Sequence, residues 1–308
     1  MRTFFYSVFI YFLAIASCSS QSHTDFDHQE VIYGHKYGMA NTMIVATPIK
    51  ANGRAIISVV SGNWVSDFHQ HKGYMKASRP YLDAGYTVFL TMHSSAPIFD
   101  ITEAVADITR AVQYVRFHAK RFKIDPENIG ITGGSSGGHV ALTVANADDQ
   151  RNPDSEDPVE RTSSKVQAVA VFYPPTDFLN FGVEGLNPVD YKFLLEKQGV
   201  LGAFQFKSFN EQRFIFEPIE EREKIMEIAR SISPAQLVTP DDPPTLIIHG
   251  DADMVVPLQQ SQLILGKLEA QKIPVELSVK EGEEHGWENM DQDRKEFVKW
   301  FDKYLIPE

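Results

Sequence analysis

A β-branched run, Ile129-Gly130-Ile131-Thr132, passes without a break into Gly133-Gly134-Ser135-Ser136-Gly137, and from there into the small, helix-compatible residues of 138–147. A strand that ends on G-x-S-x-G and reverses at once into a helix constrains the fold more than any other stretch of this chain. Strand and helix can approach closely only where the residues two before and two after the centre of the turn lack bulk. Gly133 and Gly137 meet that need. They make Ser135, not Ser136, the central serine, at a strained backbone position of the kind a nucleophile elbow uses. An ordinary Gly/Ser-rich loop is the competing reading, and the flanking segments have to decide between the two.

Those segments alternate. Two short strands are expected over 31–37 and 43–47, joined by a turn through Gly38 and Asn41. Continuous apolar runs at 54–61, which contains Ala55-Ile56-Ile57-Ser58-Val59-Val60, and at 86–92 read as strands buried on both faces. A helix over 74–84 separates them and ends at Gly85. A second helix over 99–122 places Ala104, Ile108, Ala111, Val112 and Val115 on one face at three- and four-residue steps. Strands follow at 166–172, 245–249 and 275–279, with helices over 258–271 and 291–305. Strand followed by helix, repeated along the chain, implies an α/β fold: a mostly parallel sheet with helices on both faces.

One segment interrupts the alternation. Residues 174–244 are far too long for a single crossover and are rich in aromatics, among them Phe178, Phe181, Phe204, Phe206 and Phe216. A structureless loop of that length is improbable in a compact fold, and 219–231 reads as helix. The segment is therefore expected to be a small helical cap inserted before the 245–249 strand.

The first residues differ in kind. Met1-Arg2 precedes an almost wholly apolar run, Phe4 to Ala16, and the chain turns polar after Ile15-Ala16-Ser17-Cys18. This is the pattern of a secretory signal, and the run is too short to span a bilayer comfortably. The tetrapeptide resembles the bacterial lipobox, whose cysteine is lipidated and becomes the mature N-terminus. On that reading 1–17 is a lipoprotein signal peptide, 18–30 a tether, and 31–308 the folded domain. Cys18 is the only cysteine, so its modification leaves the domain without thiol or disulfide chemistry. The protein is then exported to the bacterial cell envelope and held at a membrane surface through acyl chains. Ser19 after the cysteine points, by analogy, to the outer membrane. A formal net charge of −12 argues against a nucleic-acid partner, because phosphate binding calls for a basic surface.

A serine nucleophile needs a base to accept its proton and a carboxylate to orient that base. Downstream of Ser135 the chain offers His249-Gly250-Asp251-Ala252-Asp253-Met254-Val255-Val256-Pro257 and then Glu281-Gly282-Glu283-Glu284-His285-Gly286-Trp287. Each string follows a predicted strand, on the edge where open α/β sheets place their ligands. The elbow 133–139, the H-G-x-x-D-x-x-V-P string 249–257 and His285-Gly286-Trp287 together resemble the α/β-hydrolase esterases. That group includes lipase/feruloyl-esterase-like enzymes and the catalytic domain of prolyl oligopeptidases.

The resemblance covers about residue 31 to the end. It implies a Ser135, Asp253, His285 triad acting on small carboxylic esters through an acyl-enzyme, with Asp251 as the fallback acid and no metal or organic cofactor. It also implies an oxyanion hole built from the Ser136 N–H and a second donor after the 54–61 strand. Family members often carry His-Gly-Gly-Gly-Trp there. This chain has Ser61-Gly62-Asn63-Trp64, and alignment through the tryptophan gives Gly62 and Asn63 as donors. Carbohydrate-linked esters suit an exported enzyme. A peptidase of the prolyl oligopeptidase type shares the catalytic domain but carries a large propeller, for which nothing N-terminal here is long enough; a non-catalytic binding protein on the same fold is the other alternative.

The remaining candidates have plainer readings. His69 and His71 form a His-x-His pair without further ligands nearby in sequence. A calcium loop beginning at Asp251 lacks the glycine required at its sixth position, where Val256 stands. His139 and His249 are expected to be packed and hydrogen-bonded. Glu283 and Glu284 either raise the pKa of His285 or are solvated loop charges.

Overall fold

The structure, a computed structural model, describes residues 25–305; the signal segment and Cys18 lie outside the described residues. The chain enters as an antiparallel hairpin, β1 (Phe26–Lys36) and β2 (Met39–Pro48), and continues into β3 (Ala55–Val59). Helices α1 (His71–Ala77) and α2 (Arg79–Asp83) lead to β4 (Thr87–Thr91). Helices α3 (Ile101–Phe117) and α4 (Ala119–Phe122) lead to β5 (Ile129–Gly134), and α5 (Ser136–Asn146) leads to β6 (Ala168–Phe172). The insertion then carries α6 (Lys192–Lys197), a hairpin of β7 (Lys207–Asn210) and β8 (Ile215–Pro218), α7 (Arg222–Ser231) and α8 (Pro234–Leu237). Strand β9 (Thr245–Gly250), α9 (Gln259–Ala270), β10 (Val275–Lys280) and α10 (Met290–Tyr304) complete the fold.

Eight strands form one sheet in the order β1-β2-β4-β3-β5-β6-β9-β10. The sheet is parallel from β4 to β10, and β1 and β2 add an antiparallel edge. The central strands are buried on both faces, so each feeds two cores in alternation. In β3, Ala55, Ile57 and Val59 face the core closed by α3, α5 and α9, whereas Ile56 faces the core closed by α2 and α10. Gly130 in β5 is required by packing: a Cβ there would run into the ring of Phe301 on α10. This is the α/β-hydrolase fold, and it puts the C-terminal ends of β3, β5, β6, β9 and β10 along one rim.

Three expectations change. The tether was to reach Glu30, but β1 begins at Phe26 and pairs Phe26 with Pro48 through Glu30 with Ile44. An edge strand uses its backbone on one side only and leaves its side chains wet, so 26–30 could be polar and still be strand. The cap has its helices α6, α7 and α8 but also holds the β7–β8 hairpin, whose strands are only four residues each. The helix expected over 74–84 is two, α1 and α2, with Ser78 between them and Pro80 at the start of the second.

Candidate active site

The rim has a reactive geometry at its centre. Ser135 sits between β5 and α5 with φ 53° and ψ −123°, a backbone region that favours glycine and costs a serine strain. The glycines on either side permit it: a Cβ at Gly133 would collide with the backbone of Gly137. His285 reaches the serine from the loop after β10, its Nε2 2.9 Å from Ser135 Oγ. On its other side His285 Nδ1 lies 2.7 Å from Asp253 Oδ2. Asp253 comes from the loop after β9, so three strand ends converge on one hydrogen-bonded chain.

Asp253 is fully engaged. Its Oδ1 accepts from the amides of Val255 and Val256 at 2.8 and 2.9 Å, and its Oδ2 also lies 3.3 Å from His249 Nε2. Burial would raise this carboxyl, but hydrogen bonds from His249, His285 and the Val256 amide outweigh it and hold the group well below the usual carboxylate range. Asp251 does different work: its Oδ1 accepts from the Gly282 amide at 2.7 Å and ties the two loops together. Gly250 lets those loops touch, since a Cβ there would overlap the carbonyl of Glu283. That same carbonyl accepts from the Ala252 amide at 3.0 Å.

His249 spans its own loop, with Nδ1 2.6 Å from Ser261 Oγ and Nε2 2.9 Å from the Val256 carbonyl. His139, buried on α5, accepts from the Trp64 indole N–H at 3.0 Å through Nδ1, which leaves Nε2–H to donate to the Ile232 carbonyl at 2.6 Å. Burial pushes the His139 pKa down to about 4, so the ring is neutral at pH 7. His69 stands exposed in the turn before α1 and His71, half-buried, at its start, where His71 Nδ1 turns back to the Phe68 carbonyl. Glu283 and Glu284 lie on the His285 loop, where the contact that matters is the backbone carbonyl of Glu283.

The turn after β3 departs from expectation. The Gly62 amide donates to the Val65 carbonyl at 2.9 Å, and the Val65 amide returns the bond. Asn63 and Trp64 between them have φ 53° and 57°, the paired left-handed residues of a type I′ turn. Gly62 therefore has no free N–H to offer. The amides of Asn63 and Ser136 have no acceptor among the described residues.

Sequence reasoning missed two residues here. Tyr173, at the end of β6 with φ 34°, packs its ring against that of His285, the centroids 4.4 Å apart and the planes tilted by 50°, and burial pushes its hydroxyl up to about 12. Arg294 on α10 lies over the Phe172 ring at 5.3 Å. The first could have been suspected from its place directly after a buried strand; nothing in the pattern marked the second.

Two cavities meet at Ser135. The larger, about 840 Å³, is lined by Ser135, His285, Tyr74, Tyr173, Gln70 and Arg294 among others. The smaller, about 100 Å³, is apolar and lies under the cap against Trp64, Phe178, Leu195 and Phe204.

Fold and site together define an α/β-hydrolase with a serine on the elbow and a histidine and an aspartate in line behind it. The chain belongs to the BD-FAE family, whose profile matches residues 44–268. It is similar to the esterase LipQ of Mycobacterium tuberculosis, at 28% identity over 70% of this chain and 46% of the relative. It is also similar to an acetylxylan esterase of Xylanibacter ruminicola, at 29% identity over 33% of this chain and 21% of the relative. The chain spans about half the length of the first curated relatives it matches, 46–54%. Among solved structures, a truncated carbohydrate esterase from gut microbiota superposes with a TM-score of 0.72 at 23% identity, covering 92% of this chain and 99% of the other.

Proposed function

We propose that the protein is a serine esterase that hydrolyses carboxylic esters through an acyl-enzyme. The observation that carries this reading is the hydrogen-bonded line from Ser135 Oγ through His285 to Asp253, set on a strained elbow. Ser135 attacks the ester carbonyl as His285 Nε2 takes its proton, and Asp253 holds the imidazole in orientation and offsets its charge. The tetrahedral oxyanion is received by the Ser136 and Asn63 amides, the donors left without other partners. His285 then returns the proton to the departing alcohol and activates the water that frees the acid. No cofactor enters this sequence.

The two cavities divide the substrate. The leaving oxygen must come within reach of His285 Nε2, so the alcohol part occupies the larger cavity, which His285 lines. The acyl part then enters the apolar space of about 100 Å³ beneath the 174–244 cap, which suits an acetyl or similarly small group. Hydroxyl and amide side chains along the larger cavity suit a polar alcohol such as a carbohydrate, and the similarity to an acetylxylan esterase supports the same assignment. Fluorophosphonate labelling mapped to Ser135, with hydrolysis of 4-nitrophenyl acetate abolished in Ser135→Ala, is the expected outcome. Labelling elsewhere, or full activity in that variant, refutes it.

The same proposal extends to location. Processing at Cys18 with lipidation holds the enzyme at the bacterial envelope. Palmitate incorporation that disappears in Cys18→Ser tests this.

A further inference from the structure

The larger cavity at Ser135 is not uniformly neutral. Among the described residues, Arg294 is the only arginine or lysine on its lining, and no aspartate or glutamate lines it. The guanidinium is mostly withdrawn from solvent, 19% exposed, with its Nη1 2.9 Å from Asp291 Oδ1. That partner is 63% exposed and is screened by water, so the pair neutralises little of the charge. No hydrogen bond from Nε or Nη2 of Arg294 is made among the described residues. The charge is felt across the cavity: burial raises the hydroxyls of Tyr74, Tyr81 and Tyr173, and Arg294 opposes each rise. Those tyrosines come from α1, α2 and the end of β6, three walls of the same space. A cation with spare donors in a cavity free of carboxylates favours an anion as its guest.

We propose that Arg294 is a specificity residue that binds a carboxylate on the alcohol part of the ester, so that the preferred substrates are small-acyl esters of carboxylate-bearing alcohols. The inference rests on the esterase reading above for the word substrate, but the anion site can be tested apart from turnover. 4-Acetoxybenzoate and 4-acetoxybenzamide share an acetyl group and a phenol skeleton and differ in one negative charge. The wild type is expected to favour the acid about tenfold or more in kcat/KM, mainly through KM, as a charge-assisted hydrogen bond in a sheltered site allows. The acid-to-amide ratio should collapse in Arg294→Gln and be partly restored in Arg294→Lys. Calorimetry on Ser135→Ala with 4-hydroxybenzoate and 4-hydroxybenzamide should show the same preference without chemistry, lost when Arg294→Gln is added.

Equal treatment of acid and amide by the wild type overturns the proposal, as does a ratio that survives Arg294→Gln. If no acetyl ester is turned over while the Ser135→Ala protein still prefers 4-hydroxybenzoate, the anion site stands and the esterase reading falls.

Discussion

At the scale of single residues, Asp253 has no spare capacity. One oxygen is held by two backbone amides and the other by two imidazoles, so its charge and its direction are fixed together. Asp253→Asn keeps the shape but presents a donor to His285 Nδ1. It should lower kcat roughly ten-thousand-fold with little change in KM, as loss of the correct imidazole tautomer does. Its folded-state pKa is depressed, so the stabilisation it contributes is present above the unfolded value of about 4 and is lost as pH falls through the folded value. The gap in unfolding free energy between wild type and Asp253→Asn should therefore shrink below about pH 4, measured by urea unfolding. Asp251, two residues away, bonds only a loop amide; Asp251→Asn should retain most of the activity. Sequence order alone could not separate these two acids. Burial and the direction of each side chain do.

At the scale of elements, the cap shapes the site. Phe204 lines the small apolar cavity by Ser135 and also a second cavity of about 530 Å³ inside the cap, between α6, α7 and the β7–β8 hairpin. With Leu195, which lines both as well, it forms the partition between them. Phe204→Ala should join the two and move the preferred acyl length from acetyl towards hexanoyl or longer, read from a 4-nitrophenyl ester series; an unchanged acetyl preference would falsify the partition.

The elements also show what a linear reading can recover. The buried parallel strands and amphipathic α3 announce themselves, because burial on two faces or on one helical stripe leaves a hydropathy pattern. The polar start of β1, the four-residue strands of the cap and the division between α1 and α2 leave none. In the site, Ser135, Asp253 and His285 stand in strings that keep their order. The loss of Gly62 from the donor pair, which leaves Asn63, depends on a backbone hydrogen bond that no side chain signals, and Arg294 reaches the cavity only through the packing of α10 against β6.

At the scale of the whole molecule, His139 joins parts that are distant in sequence. It stands on the helix that follows the serine, holds Trp64 in the turn beside the site, and bonds the carbonyl of Ile232 at the end of α7. Burial keeps its pKa near 4 in the folded state, against about 6.5 unfolded. Between those values the unfolded chain binds the additional proton, so stability falls as pH drops from 6.5 to 4, by about 3 kcal/mol in total for this group. Urea unfolding across that range should show the slope, and His139→Gln should reduce it. Buried His93, lowered in the same direction, keeps it from vanishing.

The position of the cap along the chain also has a consequence in time. Ser135 and its elbow are complete once β3 to β6 have paired, whereas Asp253 and His285 arrive only with β9 and β10, after the whole insertion has been synthesised. Closing that insertion costs entropy that grows only with the logarithm of its length, about 0.6 kcal/mol for each doubling. A growing chain therefore carries a serine without its base until β10 and the loop after it have been made, and the cap can lengthen or shorten over generations while the sheet beneath it still closes.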